Sequence, residues 1–153
     1  MYAIIRVRGK ISINKDIEDT MQLLNLTRVN HCVLYKESDK ITGMLMKAKD
    51  FITWGIIDAD TLAKLLLKRG NIYTPDNKLV AFSETHDEAK AKKVAEELIS
   101  GKTTVKTLNL KPVFRLRPPR KGYERKGVKN PFSIGGALGN RQAKISELVK
   151  KMI

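Results

Sequence analysis

Within the first 57 residues two apolar periodicities alternate, and that alternation limits the chain to a small set of folds. Tyr2 to Arg8 repeats every second residue, as a strand does, with Ala3, Ile5 and Val7 on one face and Ile4, Arg6 and Arg8 on the other. Asn14 is suited to cap a helix from Lys15, with Asp16, Glu18 and Asp19 near its positive end. Ile17, Met21 and Leu24 then fall at i, i+4 and i+7 and give that helix a core face. His31-Cys32-Val33-Leu34-Tyr35 reads as a strand continuous enough to be central in a sheet. A second helix is expected from about Ile41 to Lys49, with Ile41, Met44, Leu45 and Ala48 on one side. Phe51 to Ile56, rich in β-branched and aromatic residues, predicts a third strand. The fold class is α+β: a β-α-β-α-β core over residues 1–57, two layers thick, with its helices on one face of a small sheet.

Residues 58–116 add helices and a short strand. Asp58 can cap a helix bearing Leu62, Leu65 and Leu66, which Gly70 ends. Pro75-Asp76-Asn77 marks a turn within a surface hairpin or loop over 71–87. Ala91, Val94, Ala95 and Leu98 predict a helix from about Asp87 to Ser100, followed by Gly101. Lys111 to Leu116 predicts a short strand, and Pro112 confines it to a strand end or a sheet edge. Between 117 and 140 the character changes: Pro118-Pro119, Pro131 and five glycines separate isolated apolar residues. Such a stretch is expected to be extended and shaped by a partner, because it cannot bury enough apolar surface alone. A final helix over 141–153 carries Ile145, Leu148, Val149 and Met152 on one stripe, which calls for a docking surface.

Charge says what the partner is. Residues 1–60 hold 9 Lys/Arg against 8 Asp/Glu, and residues 61–110 hold 9 against 6. Residues 111–153 hold 12 against 2, so most of the net charge of +14 lies in the last third. A cationic excess of this kind selects polyanions, because each phosphate neutralised by Lys or Arg releases a condensed counterion. Other classes find no support. No apolar run approaches the roughly 20 residues that cross a bilayer. The opening residues lack a basic segment followed by an apolar one, so a cytoplasmic location is expected. Cys32, His31 and His86 are too few for a four-ligand zinc site, and Cys32 reads as a small core residue on a strand. No phosphate-binding glycine loop, zinc-protease helix or nucleophile elbow occurs, and no cofactor is implied.

Pro118-Pro119-Arg120-Lys121-Gly122-Tyr123-Glu124-Arg125-Lys126-Gly127-Val128-Lys129-Asn130 is the main binding candidate. Arg120, Lys121, Arg125, Lys126 and Lys129 would neutralise phosphates, and Tyr123 would stack on an unpaired base. A solvated basic linker is the plainer alternative. Arg6/Arg8 and Arg115/Arg117 are spaced to place each pair on one sheet face, as a cationic ridge or a solvated outer surface. Arg28, Asn30 and His31, with Lys47 and Lys49, make a second candidate patch, although Lys47 and Lys49 also suit a helix C-terminus. Trp54 either stacks on a base or fills the core. Asp58 and Asp60 are helix-start residues, not a catalytic carboxylate pair.

Several segments then resemble one family in combination. They are Arg28-Val29-Asn30-His31-Cys32-Val33, Gly43-Met44-Leu45 with Lys47 and Lys49, and Trp54-Gly55. The chain is similar there to the ribosomal large-subunit protein thirty family. Leu110-Lys111-Pro112-Val113-Phe114-Arg115-Leu116, the Pro118–Gly122 stretch, and Gly139-Asn140-Arg141 ahead of Ile145, Leu148 and Met152 resemble its longer archaeal-type branch. The eukaryotic relative of that branch is large-subunit ribosomal protein seven. The resemblance implies a ferredoxin-like core with a largely antiparallel sheet. It also implies a structural role in the large ribosomal subunit: contact with large-subunit ribosomal RNA near the small rRNA of that subunit, and with neighbouring ribosomal proteins. It adds Arg141 to the RNA-binding candidates, and it reads 58–153 as an addition absent from the short bacterial members. A free RNA chaperone or translational regulator would use the same surface, and stable co-sedimentation with subunits separates the two.

Overall fold

A computed structural model describes residues 1–153 apart from Ser12, Pro75 and Asn77, so the Pro75-Asp76-Asn77 turn lies partly outside the described residues. Strands β1 (Tyr2–Arg6), β2 (His31–Tyr35) and β3 (Ile52–Ile56) alternate with helices α1 (Lys15–Leu23) and α2 (Asp39–Lys47). Both helices begin where a side chain can satisfy a free backbone N–H. Asn14 Oδ1 accepts from the Asp16 N–H at 3.3 Å, and Ser38 Oγ from that of Ile41 at 3.4 Å. Ser38 therefore starts α2 at Asp39, two residues before the apolar periodicity suggests. Helix α3 (Ala59–Arg69) is capped by Asp58, whose Oδ2 accepts from both the N–H and the hydroxyl of Thr61, at 3.2 and 2.9 Å.

The hairpin β4 (Asn71–Tyr73) and β5 (Leu79–Ala81) follows, then the single turn α4 (Phe82–Thr85) and helix α5 (Glu88–Ser100). Gly101 ends α5 with φ of 77°, a left-handed cap that costs glycine nothing. Strands β6 (Val113–Arg115) and β7 (Gly139–Asn140) and helix α6 (Ile145–Met152) complete the chain.

The main sheet has the order β6-β2-β1-β3-β7, antiparallel except for β3 with β7. Ile4, Val33, Ile52 and Trp54 face α1 and α2, where they meet Met21, Leu24 and Leu45. Ala3, Ile5, Cys32 and Leu34 face the other way, onto Leu62, Leu65, Ala95, Leu98 and the stripe of α6. The two-layer unit expected for 1–57 is thus one side of a three-layer molecule. The reason is chemical: β1 and β2 are apolar at consecutive positions, so both their faces must be covered. Leu62, Leu65 and Leu66 are fully buried in the added layer, where truncation to Ala costs about 2–5 kcal/mol each.

Residues 117–140, expected to be extended and shaped by a partner, pack instead against the rest of this chain. Pro119, Gly136, Ala137 and Leu138 are buried, and the Arg117 and Arg120 N–H groups donate to the carbonyls of Met152 and Lys151, at 2.9 and 3.0 Å. The segment closes on itself through Ala137 N–H to the Gly127 carbonyl at 3.1 Å and Leu138 N–H to that of Asn130 at 3.1 Å. Backbone hydrogen bonds do there what apolar periodicity does elsewhere. No described helix is long and apolar enough to cross a membrane.

Candidate RNA interface

The register brings one end of every main strand together. Ile5 lies opposite Cys32, Arg6 opposite Ile52, and His31 opposite Arg115. The exit from β1, the entries to β2 and β3 and the exit from β6 therefore share one end of the sheet. Those connections carry Arg8, Arg28, Lys47, Lys49 and Arg117. Residues distant in sequence become neighbours for this reason alone.

His31 is the centre of the first patch. It is 8% exposed, and its Nδ1 lies 3.3 Å from the Thr27 hydroxyl. Burial, then Arg115 and Arg28, then Arg6 and Lys111, hold its pKa below the ordinary histidine value. Near neutral pH it is an uncharged hydrogen-bonding group inside a cationic ring. Asn30 has φ of 64°, a conformation that asparagine tolerates, and its N–H donates to the Arg6 carbonyl at 2.8 Å. Its Oδ1 accepts from the Tyr123 hydroxyl at 3.0 Å, which ties the basic segment to the sheet.

A second contact between segment and core lies beside β3. Lys49, Asp50, Lys129, Pro131, Leu138 and Gly139 line a cleft of about 180 Å³. The Arg8 guanidinium sits 4.8 Å over the Phe51 ring and donates to the Asp50 carbonyl at 3.1 Å, which fixes a cation next to that cleft. Arg28, Lys47, Lys49, Arg115, Arg117, Arg120, Lys121, Arg125, Lys126 and Lys129 are all exposed. Arg115 and Arg117 alternate with buried Phe114 and Leu116, so this pair does project from one face.

Four candidates are placed otherwise. Arg6 is only 1% exposed, because the face it shares with Ile4 is covered by the segment leaving α1. Its guanidinium donates to the carbonyls of Leu26, Thr27 and Arg8, at 2.8, 3.2 and 2.9 Å, so it joins chain segments and forms no ridge with Arg8. Trp54 is 5% exposed among Ile4, Met21 and Phe51 and has no face open to a base. Tyr123 is half-buried against Val7, Ala137 and Leu138; its ring packs inward, and burial pushes its phenol pKa up.

Arg141, 3% exposed, is an internal clasp. It donates to Thr53 Oγ1 at 3.0 Å, the Ala137 carbonyl at 3.2 Å and Glu124 Oε1 at 2.8 Å, and it lies 4.5 Å over the Phe132 ring. Glu124, the one acid in the basic run, is held below the usual carboxylate pKa by that Arg141 hydrogen bond.

Sequence reasoning passes over Lys111, which adds to the field at His31, and Lys150 and Lys151, exposed in the last turn of α6 beside the anchored 117–120 backbone. The only signal available was the basic end of an apolar-striped helix. Cys32 is fully buried and its thiol is pushed up to about 12, so it is inert at neutral pH. Among the described residues no group of three or more His, Cys, Asp or Glu could hold a metal ion.

Residues 2–52, covering β1 to the start of β3, match the family model described as Ribosomal protein L30p/L7e. The large ribosomal subunit protein uL30 of Methanococcus maripaludis is 49% identical, with 99% of both chains aligned. The protein of the same name from Nanoarchaeum equitans is 47% identical across 100% of this chain and 99% of its own. That of Methanobrevibacter smithii is 44% identical with both chains covered completely. The chain belongs to the uL30 family. Members of the uL30 family are structural ribosomal proteins and not enzymes. The full-length archaeal uL30 relatives extend the likeness through 58–153, so α3 to α6 and the basic segment belong to the shared architecture.

Proposed function

We propose that this protein is a cytoplasmic structural constituent of the large ribosomal subunit, and that the cationic end of its sheet holds ribosomal RNA through phosphate contacts. The observation that carries the reading is convergence. Arg8, Arg28, Lys49, Arg115 and Lys129 come from five separate stretches of sequence, and the strand register, the Tyr123–Asn30 bond and the Lys49–Lys129 cleft gather them at one end of the molecule. Phosphate contacts of this kind position RNA without reading its bases, as expected of a protein that stabilises RNA tertiary structure. Trp54 is buried and the half-buried Tyr123 packs its ring inward, which leaves little for base stacking. Proximity to the small rRNA of the subunit, and to neighbouring ribosomal proteins, rests on the family resemblance.

Hydroxyl-radical footprinting on reconstituted subunits tests the reading on both RNAs at once. Protection of riboses in the large-subunit RNA, with part of the protected surface next to the small rRNA, is the expected result. A protein that leaves the subunit at moderate salt and protects no RNA would contradict it.

A further inference from the structure

The outer edge of β2 is covered only in part. β6 pairs with His31, Cys32 and Val33 and then stops. The Ile57 N–H donates to the Met1 carbonyl at 3.2 Å, so odd-numbered residues of β1 turn their backbone groups toward β3 and even-numbered ones toward Val33 and Tyr35. That leaves the even-numbered residues of β2 turned toward β6. By that alternation the Leu34 carbonyl points outward opposite Pro112, and proline has no N–H to offer it. The chain has already turned away here, because the Lys111 N–H donates to the Asn71 carbonyl of the separate hairpin at 2.8 Å.

Beside this open edge lies a cavity of about 470 Å³. That is within the range of roughly 300–1,000 Å³ typical of clefts that hold a ligand. Leu34, Leu98, Val105 and Leu110 make its walls apolar, while Lys36 and Lys106 stand exposed at its rim. The Thr103 hydroxyl, also in its lining, is buried with no hydrogen-bond partner among the described residues. A free carbonyl on a sheet edge, an apolar trough beside it and cations along the rim match one class of occupant. A β-strand offers an N–H to the carbonyl and sends alternate side chains into the trough and out toward the lysines.

We propose that this groove docks an extended segment of another protein, alternating apolar with acidic residues, which adds as a strand to the outer edge of β2. The site lies toward the opposite end of β2 from His31 and does not depend on the RNA reading. Burying the Leu34 carbonyl without a partner would be unfavourable, so main-chain hydrogen bonding is the selective feature.

The test uses the full-length protein, labelled with nitrogen-15, and the acetylated, amidated hexapeptide Glu-Val-Glu-Val-Glu-Val as the probe. Saturable shifts of the Leu34, Lys36, Thr103 and Val105 amides are expected. Methylating the central peptide nitrogens should weaken binding about tenfold or more, as should the double variant Lys36→Glu/Lys106→Glu, whose exposed positions leave the fold intact. No saturable shift at these amides, or an affinity indifferent to methylation, would overturn the proposal. So would a ten-nucleotide oligouridylate that occupies the groove in place of the peptide.

Discussion

Two arginines that resemble surface cations in the sequence are interior cross-links, and their surroundings say what each change would cost. Arg141 joins Thr53, Ala137 and Glu124 through separate hydrogen bonds, so a lysine there keeps the charge and loses the fork. Arg141→Lys should lower stability by about 1–3 kcal/mol in chemical denaturation while leaving the salt dependence of RNA binding unchanged. The charge-removing variant Arg141→Gln should leave that salt dependence unchanged as well, whereas a slope reduced by about one unit in it would place Arg141 on a phosphate. His31 supplies a pH prediction. Its folded pKa lies below the unfolded value, so the unfolded chain binds more protons in the interval between them. Stability should be intact above about pH 6.5, the ordinary histidine value, and decline as pH falls through that window. Glu18 and Glu124 are held below the usual carboxylate range, so their loss sets in only at lower pH. Denaturation midpoints between pH 7.5 and 5.5 should fall for the natural protein and stay level for His31→Gln. A natural protein with a flat profile would show that His31 is not held neutral.

The elements differ in how far the sequence reveals them. α1, α3 and α5 are legible because capping residues and an apolar stripe agree, as at Asn14 with Met21 and at Asp58 with Leu62 and Leu65. The third layer is half-legible: consecutive apolar residues in β1 and β2 already demand cover on both faces. The fold of 117–140 is not legible. It rests on backbone pairing, on β7 of two residues, and on close approaches that leave no periodic mark. Gly136 is one such approach, since a Cβ there would run into the Asn130 carbonyl. Gly136→Ala should therefore cost about 1–3 kcal/mol, the usual penalty of overpacking. Hydrogen exchange should locate the loss: the Ala137 and Leu138 amides should open, while those of Ile4 and Val33 keep their protection. Equal loosening of both sets would mean that the segment is not a separate unit of stability. The candidate site divides in the same way. Composition alone points to the exposed cations of 120–129, whereas the burial of Arg6, Trp54 and Arg141 depends on cover from elements far away in sequence.

At the scale of the whole molecule, the fold converts a charge gradient along the chain into a charged end of a sheet. The near-neutral first 60 residues build most of the sheet, and the basic last third returns to lie across its Arg8–His31 end. If that end is the RNA surface, position and not net charge governs binding. The most direct test compares two variants that each remove five exposed cations. One replaces Arg120, Lys121, Arg125, Lys126 and Lys129 by Ala, and the other replaces Lys64, Lys68, Lys90, Lys92 and Lys93 on α3 and α5. Plots of log K against log salt for large-subunit rRNA should flatten by roughly 3.5–4.5 units for the first, at about 0.7–0.9 per phosphate lost, and hardly at all for the second. Equal flattening by both variants, or none by the first, would contradict a localised RNA-binding end.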